Sequence, residues 1–513
     1  MTKPFTLGDS QSILTRMESA AGATVNLPAP FANATSLTVF ENAVADGKKL
    51  LPLRYQKPYV DVLEQAVLQA QVVLHSLTPR AVVKRKAVLT QLEMVFSALA
   101  APIAQLRSGN HQKELKAFLA VISDIYRHFV DNRKIRSASK SKLLYPSLDP
   151  LGSFNSDSGT GPFTLAATAE LPIALVSKPA PHMHFLPLWL VDGHEVGGHS
   201  ILAGVEGFHT ELGDVLEARL RAAFKDGSIE TESKNVNFST GTGTVFSGKT
   251  TVSMVDFMVK LWRQWLNEVT ADGAGVLNMG PMFADGLILQ LALDRPNWEL
   301  TTNSVFDSRR GFSEHPSDLV RALLTIEMVR QLGTGKSNRY ATALAERLDE
   351  IQGAVADQIG WVSRNGAIAC EVSLADMEAV LPIVADTILK SSLNALSGHS
   401  LIGIMPWTDA DEKAVRAAAS AMLKGDTDTQ ATLQARHVIS GSLLAVERAS
   451  FFADRFDAAC DRVHATGVAL LNDMYSNQCL LCNVQTLKGG AKDPADVQLK
   501  DLVRLVRKNM HRR

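Results

Sequence analysis

Cysteine is scarce in this chain: its 513 residues include only Cys370, Cys460, Cys479 and Cys482, too few for a disulfide framework at this length. That usage fits a reducing compartment, and the expected location is cytoplasmic. An excess of either charge is also missing. With 52 Lys and Arg against 53 Asp and Glu, no overall field draws nucleic acid or an anionic membrane onto the whole surface. Long apolar runs are missing too, because no uncharged segment of about 20 residues could span a bilayer. The opening residues MTKPFTLGDSQ lack the basic run and apolar stretch of a secretory leader. What is present, 46% hydrophobic and 20% charged residues, is an ordinary globular balance with ample material for a core. We therefore expect a soluble, unexported protein with no membrane span and no nucleic-acid partner.

Residues 1–35 show no clear period and read as a weakly ordered lead-in. From 36 to 150 three segments place apolar residues at three- and four-residue spacing: PYVDVLEQAVLQAQVVLHSL, AVVKRKAVLTQLEMVFSALAAPIAQL and KELKAFLAVISDIYRHFVDNRK. This region reads as a helical bundle. Ser, Gly, Pro and Asp accumulate between Ser137 and Pro162, which sets a boundary near 150. Beyond it, FTLAATAELPIALVSKPAPHMHFLPLWLV carries short runs cut by proline, the pattern of edge strands or extended backbone. A second domain is expected over 151–335. From Thr250 the helical pattern returns and persists almost to the end, with 336–513 as a C-terminal helical region that includes ATALAERLDEIQGAVADQIGWV, and the basic LVRLVRKNMHRR reads as a solvated helix end.

The sharpest chemical signal is His194-Glu195-Val196-Gly197-Gly198-His199, a polar cluster set between the apolar LPLWLV and SILAGV. In H-E-x-x-H the histidines lie four apart and share one face of a helix, so both reach one metal ion. Here they lie five apart. Five residues of a regular helix turn about 500°, which leaves the two imidazoles about 140° apart. An i→i+5 turn absorbs the extra residue, and Gly197 and Gly198 are permissive places for one.

This spacing, including the glycine before the second histidine, resembles the H-E-x-x-G-H signature of dipeptidyl peptidase III, a zinc peptidase family. Downstream, Glu268 and Asp272 in Asn267-Glu268-Val269-Thr270-Ala271-Asp272 stand at i and i+4 on the apolar helix expected from Thr250. The segment resembles the glutamate helix of the gluzincins, N-E-x-x-x-D in thermolysin-like enzymes and E-x-x-A-D in the prenyl-protein (CAAX-processing) peptidases. Further on, His315-Pro316 and Arg321 resemble the H-P-x-x-x-x-R element of the latter. The resemblances span His194 to Arg321 and draw on different peptidase families.

These resemblances imply Zn²⁺ held by His194, His199 and Glu268, with Asp272 orienting a histidine ligand. Glu195 would act as general base, His315 would stabilise the oxyanion, and Arg321 would hold the carboxylates or the substrate backbone. The implied fold is mainly α, a helical bundle around a zincin-like catalytic core with a small β-sheet or extended edge strands. The implied activity is that of a zinc metallopeptidase acting on a peptide or protein substrate. The segment Ala174 to His184 would then offer an edge strand to the peptide, with His182 and His184 beside it. Glu206 or His209 remain alternatives for the third ligand. Ser313 as a helix cap, with Pro316 in the first turn, is the structural alternative for the third element.

Two rival readings stand beside this one. Gly243 to Thr250 satisfies G-x-x-x-x-G-K-[ST], the phosphate-cradling P-loop, with LILQLALD ending at Asp294 as a candidate acidic strand. The residues before it, SKNVNFSTGT, are too polar for the buried strand that a P-loop follows. The other rival is a non-catalytic helical binding scaffold with a degenerate zinc site. A structural zinc site has four protein ligands and usually some cysteine, whereas this constellation has three ligands and an extra glutamate. Cys479-Leu480-Leu481-Cys482 is a lone C-x-x-C and reads as helix packing.

Overall fold

The computed structural model describes residues 6–27, 29–78, 80–136, 148–155, 162–239, 241–353, 357–364, 366–428, 433–477 and 492–510. The fold is mainly α with small sheets of two to four strands. Cys479 and Cys482 lie outside the described residues, as do most of Ser137 to Pro162. No single described helix is long and apolar enough to cross a membrane.

Contacts divide the chain into two compact units, each assembled from separate stretches of the sequence. One comprises Ala20–Asp131, Leu143–His184 and Val468–Arg513. Its helices Thr38–Leu50, Asp61–Ser76, Val82–Leu99 and Leu499–Met510 enclose a core that includes Phe40, Tyr59, Phe96, Leu502 and Val506. Distant stretches of sequence join here: the Gln69 amide donates to the Val497 carbonyl at 2.7 Å and accepts from the Leu499 amide at 2.7 Å. Within the basic C-terminal segment, Leu499–Met510 is a helix that buries Leu502, Val503 and Val506.

The small sheet of this unit corrects the expectation of an edge strand at Ala174 to His184. Leu175–Pro179 is the central strand, parallel to Leu151–Asn155 on one side and antiparallel to Phe163–Leu165 on the other. All five of its residues are buried. With both sides bonded it has no row of free amides for a peptide. His182 is buried, and that burial, reinforced by Lys178, pushes its imidazole down to about 3.

The other unit comprises Met1–Ser19, Asn132–Lys142 and Phe185–Gly467. The lead-in is more ordered than its sequence implies: Ser10–Ala21 is a helix that buries Ile13, Leu14 and Met17. At the centre of the unit runs the 26-residue helix Met254–Met279. It is capped by Ser253, whose hydroxyl accepts from the Asp256 amide, and it ends at Gly280, whose φ of 64° suits glycine. From Val269 to Met279 every residue is buried, so this half of the helix is core all round. Helices Phe208–Asp226, Pro281–Leu293, Asp318–Arg330, Leu381–Lys390 and Ala435–Ala449 pack around it.

A four-stranded sheet in this unit runs in the order Gly311–Phe312, Asn303–Asp307, Gln358–Val362, Ile368–Ser373. It breaks the helical pattern expected through residue 362. The helix Ser337–Gln352 stops at Gly353, whose φ is 68°, and Ile359 and Trp361 are buried in the following strand. Ile359, Gly360 and Trp361 are buried in succession, so strand pairing in the core wins over helical period.

Candidate metal centre

The five-residue spacing of the histidines is accommodated as the angular argument requires. A single turn of α-helix, Asp192–His194, widens into a π-helical segment, Glu195–Ile201. The π turn brings the two imidazoles together, with His199 Nε2 lying 3.0 Å from His194 Nε2.

The glycines serve a second purpose that the sequence reading did not assign. The segment lies along a seam of small residues on Met254–Met279. A methyl group added at Gly197 would sit 3.0 Å from Ala274 Cβ and 3.1 Å from Asn278 Nδ2, and one at Gly193 would sit 3.0 Å from Gly275 Cα. A methyl group at Gly198 would overlap Ala271 Cα and Cβ. Gly198→Ala is therefore expected to destabilise the fold by about 1–3 kcal/mol, the range for forced overpacking, and to reduce metal binding. Gly204→Ala is the matched control, since a Cβ there meets nothing within 4 Å. Denaturant midpoints and metal stoichiometry of the two variants check this, and equal behaviour would remove the packing argument.

Close backbone approach places Glu268 opposite the histidines. Its Oε2 lies 3.5 Å from His194 Nε2 and its Oε1 lies 3.5 Å from His199 Nε2. Ligand atoms of the three residues all fall within 4.8 Å of one another, the one such group among the described residues. A tetrahedral zinc ion with bonds of about 2.0–2.1 Å sets its donors about 3.3–3.4 Å apart, close to the 3.0 Å between the two imidazole nitrogens and the 3.5 Å from each of them to a different oxygen of Glu268. Two imidazoles and a carboxylate are also a donor set that zinc accepts.

Behind the donors stands a polar chain that fixes them. Asp272, one turn along from Glu268 and fully buried, lies with Oδ1 2.7 Å from His194 Nδ1. A carboxylate there selects the tautomer with the proton on Nδ1, which leaves the Nε2 lone pair toward the centre. Arg321, from helix Asp318–Arg330, grips Asp272 with a fork: Nη2 donates to Oδ1 at 2.6 Å and Nε to Oδ2 at 3.0 Å. Arg321 thus holds a carboxylate behind the histidine.

The electrostatics favour a cation. Burial alone would lower the His194 imidazole, but Asp272 and Glu268 outweigh it and push it up to about 10. Burial alone would raise the Glu268 carboxyl, but both histidines hold it well below the usual carboxylate range. Asp272 is likewise lowered against its burial by Arg321 and His194.

His315 also reaches this group. Its Nε2 lies 3.4 Å from Glu268 Oε2, and its side chain is half exposed. Partial burial lowers its pKa, opposed by the Glu268 carboxylate. The loop carrying it is tied down from two sides. Trp265 Nε1 donates to the Ser313 carbonyl at 3.1 Å, and Ser304 Oγ donates to the His315 carbonyl at 3.2 Å. The helix after the loop starts at Asp318 with Ser317 in the cap position, while Ser313 Oγ accepts from the His315 amide at 3.2 Å. Ser313 is therefore a turn residue and not the cap. Trp265 as an anchor of the His315 loop was not legible beforehand, because its indole and Ser313 are 48 positions apart.

Glu195 follows His194 directly and is buried, 7% exposed. The alternatives for the third ligand stay outside the cluster: Glu206 is exposed, and His209 lies 3.4 Å from Thr270 Oγ1. Burial, with His199 nearby, lowers the His209 imidazole to about 4. Asn267, which immediately precedes Glu268, brings its side-chain amide to 3.4 Å from His199 Nδ1.

The Gly243–Thr250 segment is not a P-loop. It closes a hairpin between antiparallel strands Asn235–Asn237 and Thr251–Ser253, and the next helix starts only at Met254. The amides of Gly248 and Lys249 donate to the carbonyls of Gly243 and Phe246 at 2.7 and 3.3 Å, so they are spent inside the loop. LILQLAL belongs to helix Pro281–Leu293, with Asp294 as its C-cap, and is not an acidic strand. Comparison with protein-family models, with curated proteins and with solved structures returned no match.

Proposed function

We propose that this chain is a zinc-dependent peptidase of the gluzincin kind, in which His194, His199 and Glu268 hold the metal. The observation that carries the reading is the grouping of three donor atoms within 4.8 Å of one another, with a buried glutamate immediately after the first histidine. A bound zinc ion would polarise a water molecule and the scissile carbonyl. Glu195 accepts the proton of the attacking water and later delivers it to the leaving nitrogen as the C–N bond breaks. His315, held at the edge of the cluster by Ser304 and Trp265, donates to the carbonyl oxygen as negative charge develops there. Asp272 and Arg321 keep His194 in the required tautomer and orientation throughout. The test is hydrolysis of a mixed peptide library by the zinc-loaded chain, with products identified by mass spectrometry. Chelator-sensitive cleavage is expected, and no cleavage by protein of confirmed zinc content would overturn the reading.

A pH dependence follows from the same groups. In the metal-free protein Asp272 and Glu268 outweigh the effect of burial on His194 and keep its proton on up to about pH 10. Zinc must displace that proton, so apparent zinc affinity falls about tenfold per unit as the pH drops from 9 to 7. Competition against a chelator of known affinity at several pH values measures the slope. A flat profile would remove His194 from the ligand set.

A further inference from the structure

The hairpin formed by helices Asp61–Ser76 and Val82–Leu99 leaves a group of aliphatic side chains in solvent. Leu68, Val72 and Val73 on the first helix and Val82 and Val83 at the start of the second are 44, 69, 44, 66 and 82% exposed. The core-facing sides of these helices are other residues: Val62, Leu63, Ala66, Val67 and Ala70, then Leu92, Val95, Phe96 and Leu99. The exposed set is therefore additional to what folding needs.

In the stretch that carries this exposed set, charge is of one sign. Between Gln65 and Leu92 the sequence holds Arg80, Lys84, Arg85 and Lys86 and no Asp or Glu, in a chain whose totals are 52 basic and 53 acidic residues. Arg85 donates to the Leu77 carbonyl at 3.0 Å, and among the described residues Arg80, Lys84 and Lys86 make no ion pair. The carboxylates nearest along this hairpin answer other groups. Glu64 pairs with Lys48 at 2.6 Å, and Glu93 accepts from the Asn33 amide at 3.0 Å. Asp493 pairs with Lys57 at 3.3 Å.

We propose that this end of the hairpin docks on the surface of an anionic lipid bilayer, with the valines entering the headgroup region and the cations meeting lipid phosphate and carboxylate groups. Apolar residues flanked by Lys and Arg are what such an interface selects. Exposures of 66% and 82% mark a projecting edge and not the wall of a groove. The attachment is peripheral. The bent pair Val82–Leu99 and Ala101–Ser108 has the length and composition of a span, but it kinks by 67° and buries Leu92, Val95, Phe96 and Leu99 in the core.

The test is flotation of the full chain with phosphatidylcholine vesicles, with and without about 30% phosphatidylserine, at low and high salt. Binding is expected only with phosphatidylserine and should weaken as salt rises. Lys84→Ala/Lys86→Ala should weaken it about fivefold per cation removed, and Val82→Asp/Val83→Asp should abolish it, with thermal midpoint and metal content unchanged in both. Absence of binding to phosphatidylserine vesicles at low salt, or binding that both variants leave intact, overturns the proposal. Retention on immobilised polyglutamate without vesicle binding would assign the surface to an acidic protein segment and equally overturn it.

Discussion

Glu195→Gln is expected to lower kcat for peptide hydrolysis by about 10²–10⁴-fold, the span of a lost general base, while zinc stays at one per chain. Glu195 follows His194 without supplying one of the three clustered donor atoms, so a metal held by them should not depend on it. Glutamine preserves the shape of this buried side chain and loses only the capacity to take a proton. KM should change little, because the loss is confined to the transition state. Kinetics and metal analysis on the same preparation check both halves. Unchanged hydrolysis in the variant would discard Glu195 as the base, and loss of zinc would place it among the ligands instead.

Glu268→Ala has the opposite signature. It removes one of three donors and also the carboxylate that sits 3.4 Å from His315 Nε2. Loss of an outer partner such as Asp272 commonly costs 10–100-fold in metal affinity, so loss of Glu268 itself is expected to exceed about 100-fold. A ligand that binds only the folded state stabilises it, so zinc should raise the melting temperature of the parent chain and leave that of Glu268→Ala unmoved. Alanine suits the helix interior, and the parent's response to chelator supplies the reference. Equal zinc-induced shifts in the two proteins would exclude Glu268 as a ligand. Asp272→Asn should fall between them, because its amide can still partner His194 but cannot carry the charge that Arg321 and His194 share.

The site was legible where chemistry and spacing constrain each other. Histidines five positions apart cannot share an ion on a regular helix, and the segment Glu195–Ile201 is π-helical as that geometry demands. The i, i+4 spacing of Glu268 and Asp272 places one among the donors and one behind His194, both buried, although 68 residues separate His199 from Glu268. What spacing could not reveal was the need for glycine at 197 and 198 as bare contact with Ala271 and Ala274, because close approach between helices leaves no local trace.

Fold class was equally open to reading, whereas chain partition was not. Helices of residues 36–130 show their period locally, but their union with Leu499–Met510 depends on contacts such as Gln69 with Val497, which no local pattern encodes. Leu175–Pro179 looked like an edge because prolines flank it, yet proline at the end of a strand does not prevent neighbours from pairing on both sides. In Gln358–Val362 the run is too short to stand out from the helix before it.

The most direct test of the central claim is the metal content of the purified, untagged chain, measured by plasma mass spectrometry after incubation with zinc and removal of the excess. The account predicts about one zinc per chain in the parent and little in Glu268→Ala. A parent chain that retains no zinc would contradict the assignment of His194, His199 and Glu268 as a metal centre, and the peptidase proposal would fall with it.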